Sequence, residues 1–188
     1  VTIFDQDESI RPETNMETLA KLRPAFTADG IVTAGNAPGL NDGAAAVVLA
    51  SRDYAEQHGH QPLARVVAYG QAAVEPKWLF AAPIKGIQNA LRRAGWTMDD
   101  VDLVVLNEAF AAQVLADLRG LARDGYEIPL EKLNVNGGAI AIGHPIGASG
   151  ARVLVTLIHA LRQRGLKRGL ASLCLGGGEA VAMAVELE

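Results

Sequence analysis

Apolar residues along this chain switch between two spacings, and the switch points outline alternating strands and helices. Leu63 to Tyr69 reads as a strand. Pro83 opens a helical pattern at its favoured first-turn position, and Gly95 ends it. Asp102 to Leu106 is an apolar run with the length of a buried strand, and Ala109 to Leu121 returns to helical spacing. Val153, Leu154, Leu157, Ile158 and Leu161 mark one face of a helix from about Ala148 to Arg164. Leu170 to Leu175 and Ala180 to Leu187 read as two strands joined by Gly176-Gly177-Gly178, a hairpin at the C-terminus. Strands alternating with helices imply an α/β sheet with helices packed against it.

The pattern is weaker before Pro62. Val1 to Ala37 is polar and irregular, with one helical stretch from about Glu13 to Leu22 carried by Met16, Leu19, Ala20 and Leu22. Thr33 to Gly39 is a loop by composition. Ala44 to Ala50 has the length of a buried strand, and Ser51 caps a short helix that stops at Gly59.

Composition narrows the function classes. The chain has 188 residues, 49% of them hydrophobic, enough to bury the core of an ordinary domain. A net charge of −4 with no basic cluster argues against a nucleic-acid partner. A single cysteine cannot form an internal disulfide, so a reducing compartment such as the cytoplasm is expected. No apolar run approaches the ~20 residues that span a bilayer, so no membrane partner is expected. The first residue is Val1 rather than Met, which is expected of a piece of a longer polypeptide.

Residues 134–150 carry the densest chemical signal. They are rich in glycine, apolar between the glycines, and hold one imidazole, His144, followed by Pro145. Glycine lets a ligand approach the backbone closely. His144 precedes a helix, whose positive N-terminal end disfavours imidazolium and leaves a neutral ring as base or donor. The competing reading is a structural histidine capping a glycine loop. The lone Cys174 stands at a strand end against three glycines, and reads equally as a small core residue or as a reactive thiol. Backbone N–H groups around Gly176 could form an oxyanion hole. Asn107 opens the segment Asn107-Glu-Ala-Phe110 at the C-terminal end of a strand, where α/β folds place ligands, but its spacing suits an N-cap better.

Other motifs fail or stay neutral. The glycine spacing excludes a P-loop, a dinucleotide fingerprint and a serine nucleophile elbow. Four scattered histidines and one cysteine make no metal set. The apolar run Trp78-Leu79-Phe80-Ala-Ala82 suits an acyl pocket or plain core packing. His58, His60 and His159 read as solvated, as do Arg162, Arg164, Lys167 and Arg168.

Asn107-Glu-Ala-Phe110, Gly143-His144-Pro145 and Cys174-Leu-Gly176, in this order, resemble the three C-terminal motifs of the thiolase family. Asn136 to Gly150 is close to that family's signature. Lys21-Leu-Arg-Pro-Ala-Phe26, Val32-Thr-Ala-Gly-Asn36 and Asn41-Asp-Gly-Ala44 also match. The resemblance covers essentially the whole chain, but only the second half of a thiolase. It implies the thiolase fold: a C-terminal βαβαβαββ-type half with a mixed sheet covered by helices. Residues 1–40 would be the tail of the coenzyme A-covering loop region. Residues 41–61 would complete the N-terminal-half domain with a strand and helix, exposing Val47, Val48 and Leu49, and 62–188 would be the C-terminal domain.

The resemblance also implies an activity. A thiolase moves acyl groups between coenzyme A thioesters, making or cleaving a 3-oxoacyl-CoA, here acetoacetyl-CoA, through a nucleophilic cysteine. That cysteine is expected in the N-terminal half, which this chain lacks. His144 would activate it, Cys174 would carry the α-proton, Asn107 would hold a water, and the Gly176 N–H would meet the oxyanion. Arg11, Thr18, Ala34, Pro38, Gly39 and Leu40 would face coenzyme A, with Phe110 and Leu79 as pocket walls. Coenzyme A thioester would be a substrate, with no resident cofactor or metal. Partners would be the missing half and a second copy or more, as a homodimer or homotetramer. Two departures stand out: Pro38 replaces the family's usual Ser and offers neither N–H nor hydroxyl, and Trp78-Leu79-Phe80 is bulkier than the usual wording. A non-catalytic thiolase-like protein that binds acyl-CoA or lipid is the alternative, and a half that only supports assembly is a third.

Overall fold

The computed structural model describes residues 2–7 and 9–188. Its centre is a four-stranded mixed sheet built from β1 (Ala64–Ala73), β2 (Leu103–Leu106), β3 (Arg168–Leu175) and β4 (Glu179–Leu187), in the order β1-β4-β3-β2. β4 is antiparallel to both β1 and β3, and β2 is parallel to β3. The hairpin expected at the C-terminus is present: Gly177 and Gly178 take positive φ values of 84° and 98°, which glycine adopts without a steric penalty. β1 is longer than its apolar run because it pairs with β4 along its length, through a bulge between Val66 and Ala68.

Alternate strand residues serve opposite faces of the sheet. Val104, Leu106, Leu170, Ala182 and Ala184 face one core, shared with Ile87, Ala90 and Leu91 of α3 (Ala82–Ala94) and Val114 and Leu121 of α4 (Ala111–Arg123). Leu103, Val105, Ala171 and Val185 face the other, against Val153, Leu157, Ala160 and Leu161 of α6 (Ser149–Arg164). The sheet is thus covered on both sides, as its continuous apolar strands require. α3 and α6 both stop at glycines in the left-handed conformation, Gly95 and Gly165.

The remaining elements lie before β1 or between strands. α1 (Met16–Ala20) is capped by Asn15, whose side chain accepts from the Thr18 N–H. It is shorter than its apolar spacing predicts because it buries no residue, and a short helix without tertiary packing gains little from extension. α2 (Arg52–Gln57) begins at the Ser51 cap as expected. α5 (Ala139–Ile142) is a single turn within the glycine-rich segment, and Trp78, Leu79 and Phe80 lie in a 3-10 helix rather than a loop.

Two expectations fail. Ala44 to Ala50 forms no strand; it has no ladder partner among the described residues, and Val48 is 97% exposed. A strand needs a neighbouring edge to satisfy its backbone, and the chain offers none there. The apolar exposure expected at Val47, Val48 and Leu49 is present, and the described residues hold four strands where a βαβαβαββ pattern has five. Arg168 is not a solvated residue but the first residue of β3, paired with Glu186 and Asp100 and lying over the Trp96 ring. Among the described residues no helix is long and apolar enough to cross a membrane.

Gly70 sets how closely α3 approaches the sheet. A Cβ there would stand 2.4 Å from both the Ala90 nitrogen and the Gly86 oxygen, backbone atoms that cannot turn aside. Gly70→Ala is therefore expected to destabilise the fold by about 1–3 kcal/mol, the usual range for overpacking. Urea denaturation checks this: the midpoint should fall, and an unchanged midpoint would show that α3 can lift off β1 without loss.

Candidate functional site

The parallel pair β2 and β3 ends on one edge of the sheet, the position where α/β folds place chemistry. Asn107 follows β2 directly, and its N–H donates to the Ser172 carbonyl at 2.9 Å, extending the ladder by one residue. Asn107 is only 2% exposed and does not cap α4; Phe110 occupies the cap position. The N-cap reading of Asn107 is thereby overturned. Its side chain turns instead toward the glycine-rich segment.

Four side-chain hydrogen bonds tie that segment to the end of β2. Asn134, held at φ 45°, accepts the Leu106 N–H through Oδ1 at 2.9 Å and donates from Nδ2 to the Leu106 carbonyl and to Glu108 Oε1. Glu108 Oε2 accepts the Ile140 N–H at 2.9 Å. Gly138 passes against this carboxylate, where a Cβ would lie 2.4 Å from Glu108 Cδ. Glycine is required there so that the backbone can meet the carboxylate.

The segment then delivers His144. The His144 N–H donates to the Gly39 carbonyl at 3.1 Å, and Gly43 packs so closely on Pro145 that a Cβ would stand 2.6 Å from the ring. A groove of about 360 Å³ runs between residues 41–45 and 145–148. His144 Nε2 lies 3.4 Å from Asn107 Nδ2, and Nδ1 lies 2.6 Å from Ser149 Oγ. The imidazole pKa is pushed down, first by burial and then by the nearby Arg152 guanidinium. The ring is therefore neutral at neutral pH, as expected. The causes are desolvation and a neighbouring positive charge.

Cys174 lies at the end of β3, half-buried, with no hydrogen bond to His144 or Asn107 among the described residues. Burial pushes its thiol pKa up, and the charge of Asp117 adds to this. Asp117 on α4 is fully buried; Gln113 donates to its Oδ2, while Oδ1 has no partner among the described residues. Gln113 is itself tied to the Ala109 N–H at 3.1 Å. Burial raises the Asp117 pKa to about 7.

The other expected site residues divide. Gly39 is brought against His144, and Pro38 beside it is half-buried. Phe110 stacks edge-on with Phe26 at 6.0 Å and Phe80 at 5.4 Å, joining the early loops to α4, and Leu79 is half-buried in the adjoining 3-10 helix. Arg11, Ala34 and Leu40 are exposed, and among the described residues Arg11 donates to the nearby Ser9 carbonyl. Thr18 is spent on the α1 cap. Gly176 sits in the exposed turn after β3. Among the described residues no three His, Cys, Asp or Glu side chains gather to hold a metal.

Sequence reasoning missed Glu108, Gln113, Asp117, Asn134, Ser149 and Arg152. A usable signal existed for two of them: Gln113 and Asp117 fall on the buried stripe of α4 with Val114 and Leu121, where polar residues are out of place.

Comparisons with known proteins bear on the family and the fold of the chain. Residues 60–187 match the family model described as "Thiolase, C-terminal domain", and residues 1–53 match "Thiolase, N-terminal domain". The acetyl-CoA acetyltransferase of Chromobacterium violaceum is 55% identical over 183 residues, 97% of this chain and 45% of the relative. That of Allochromatium vinosum is 54% identical over 184 residues, 98% of this chain and 45% of the relative. The crystal structure of the Bacillus anthracis acetyl-CoA acetyltransferase superposes with a TM-score of 0.92 at 49% identity, over 100% of this chain and 46% of the other. Human mitochondrial 3-ketoacyl-CoA thiolase in complex with CoA superposes with a TM-score of 0.86 at 41% identity, over 97% of this chain and 45% of the other. The chain thus spans less than half the length of the curated relatives it matches.

The raised pKa of Asp117 has a stability consequence. Its ordinary value is 3.8 and its folded value about 7, so the folded state holds the proton across that interval and the unfolded state does not. Folding stability therefore falls as pH rises from about 4 to about 7, by up to ~4 kcal/mol, and stays low above that. Asp117→Asn removes the titration. The variant should be more stable than the parent at pH 8, with the gap closing toward pH 4. Urea midpoints at the two pH values check it, and a gap that does not change with pH overturns the assignment.

Proposed function

This chain belongs to the thiolase family, and from that premise we propose that it supplies the acid–base half of a site that transfers acyl groups between coenzyme A thioesters. One observation carries the reading. A buried amide and a neutral imidazole, Asn107 and His144, meet at 3.4 Å at the end of the parallel strands, on the sheet edge where β3 delivers Cys174.

Each residue does what its environment suits it for. A neutral His144 takes the proton of a nucleophilic thiol. That thiol belongs to the part of the protein outside this chain, because Cys174 is the only cysteine in it. The resulting thiolate attacks the substrate carbonyl, and in cleavage of a 3-oxoacyl-CoA the bond to the α-carbon breaks. The departing enolate takes a proton from Cys174. A thiol held above its ordinary pKa is in its protonated form near neutrality and can donate that proton. Coenzyme A thiol then attacks the acyl-enzyme, the shortened acyl-CoA leaves, and the nucleophile is regenerated. Condensation runs the same steps in reverse, with Cys174 removing the α-proton of acetyl-CoA. Asn107 holds the oxygen-stabilising water, and the Gly176 N–H faces the oxyanion on the nucleophile side.

Acetoacetyl-CoA is the proposed 3-oxoacyl substrate, in line with relatives named acetyl-CoA acetyltransferase, and no resident cofactor or metal takes part. Pro38, Gly39, Leu40 and Ala34 are proposed to border the pantetheine, with Arg11 and Thr18 toward the adenine end and Phe110 and Leu79 toward the acyl group. The apolar residues Leu40, Val48 and Leu49, exposed here, are proposed to be covered by the remaining half of the protein and by a second copy in a dimer or tetramer. A cytoplasmic setting suits the unpaired thiol chemistry. The binding-only alternative is not favoured, because Asn107, His144 and Cys174 are all retained.

The test is thiolysis of acetoacetyl-CoA by the full-length protein. Cys174→Ala and His144→Ala should each lower kcat by roughly 10²–10⁴, the range for loss of a general acid or base. Full activity in either variant would sink this assignment, and coenzyme A binding without turnover in the parent protein would favour the binding alternative.

A further inference from the structure

We infer that Arg152 is a positioning residue: it fixes the direction of a hydrogen-bond chain through Asn107, His144 and Ser149, and so decides which ring nitrogen of His144 is bare. Arg152 lies in the first turns of α6, partly buried, with Nη2 3.3 Å from Asn107 Oδ1. Its Nε and Nη1 are buried without a partner among the described residues, so the group is held here at the expense of its own hydrogen bonding.

The argument is one of donors and acceptors. A guanidinium has only donors. The Asn107 atom that faces it must therefore be the oxygen, and the Asn107 amide cannot turn over without setting donor against donor. With Oδ1 committed to Arg152, Nδ2 is the atom that faces His144 Nε2 at 3.4 Å. An amide NH₂ only donates, so Nε2 must present its lone pair. The proton of the neutral ring is then on Nδ1 and is donated to Ser149 Oγ at 2.6 Å. Ser149 in turn donates its hydroxyl proton to the Pro145 carbonyl at 3.1 Å. The chain runs one way throughout, from Arg152 to Pro145.

Without Arg152 the direction is open. Ser149 can rotate its hydroxyl toward Nδ1, and Asn107 can turn its oxygen toward Nε2. That reversed chain gives up only the Ser149 hydroxyl bond to the Pro145 carbonyl, which still accepts the Ala148 and Ser149 N–H groups, but it puts a proton on Nε2, where a base needs none. Arg152 is the one member of the chain with no acceptor, so it removes this alternative. Three other charged or titratable groups adjoin the site. Glu108 beside Arg152 is occupied by Asn134 and Ile140, Asp42 lines the groove next to Pro145, and Cys174 ends β3. None of them faces the Asn107 oxygen in the hydrogen-bonding of the described residues.

The use of a bare Nε2 rests on the reading of His144 as the base, but the tautomer itself is a property of the resting protein. The experiment is ¹⁵N NMR of the histidine ring nitrogens in the full protein, with His144 assigned by loss of its signals in His144→Gln. The parent should show protonated Nδ1 and bare Nε2. Arg152→Gln, whose amide can face either way, should give a mixture of tautomers and raise the midpoint at which the ring gains its second proton. Arg152→Lys, still only a donor, should keep the parent tautomer. Asn107→Asp, which can only accept, should move the ring proton to Nε2 or charge the ring, and it serves if the Arg152 variants do not fold. A parent with protonated Nε2 overturns the inference. So does Arg152→Gln with the parent tautomer intact, or Asn107→Asp with Nε2 still bare. Because no substrate is present, these outcomes are independent of the thiolysis assay.

Discussion

The site depends first on the attachment of the glycine-rich segment to the end of β2. Asn134 uses both ends of its amide on the Leu106 backbone, and Glu108 receives both Asn134 and the Ile140 N–H. A short strand end and a glycine-rich segment are thereby joined by four hydrogen bonds, two of them to a carboxylate, which are the stronger kind. Gly138 lets the loop backbone lie on that carboxylate without a clash. Only with this attachment do Asn107, at the end of β2, and His144, ten residues beyond Asn134, stand together.

Desolvation then sets the protonation states. Burial acts on every titratable group by disfavouring its charged form. It lowers the imidazole of His144 and raises the thiol of Cys174 and the carboxyl of Asp117. The net effect is a neutral imidazole and a protonated thiol on one sheet edge, the resting forms that the proposed acyl transfer begins with. The positive charge of Arg152 reinforces the shift of His144, and the negative charge of Asp117 that of Cys174.

Much of this was legible in the residues. Pro83 and Gly95 bound α3 to within a residue, because proline and glycine act through local backbone geometry that no tertiary contact needs to supply. The hairpin at Gly176-Gly177-Gly178 followed for the same reason. Ala44 to Ala50 misled, since an apolar run reports what wants burial and says nothing about whether an edge is available. Asn107 misled in the other direction. Its spacing before a helix matches a cap, yet the helix starts at Ala111, three residues after Glu108 has been taken by the loop.

The amino-acid sequence by itself determined the alternation of strands and helices, the family, and the identity of the imidazole, amide and thiol, because periodicity, turn residues and short motifs are local properties of the chain. Only the tertiary structure decided that the Asn107 amide points at His144, that Asp117 is buried close enough to bear on the Cys174 thiol, and that Arg152 reaches across from α6 to the Asn107 oxygen. Those relations join residues 37 to 57 positions apart, and hydrogen-bond direction and desolvation exist only once packing has brought such groups together and removed the water between them.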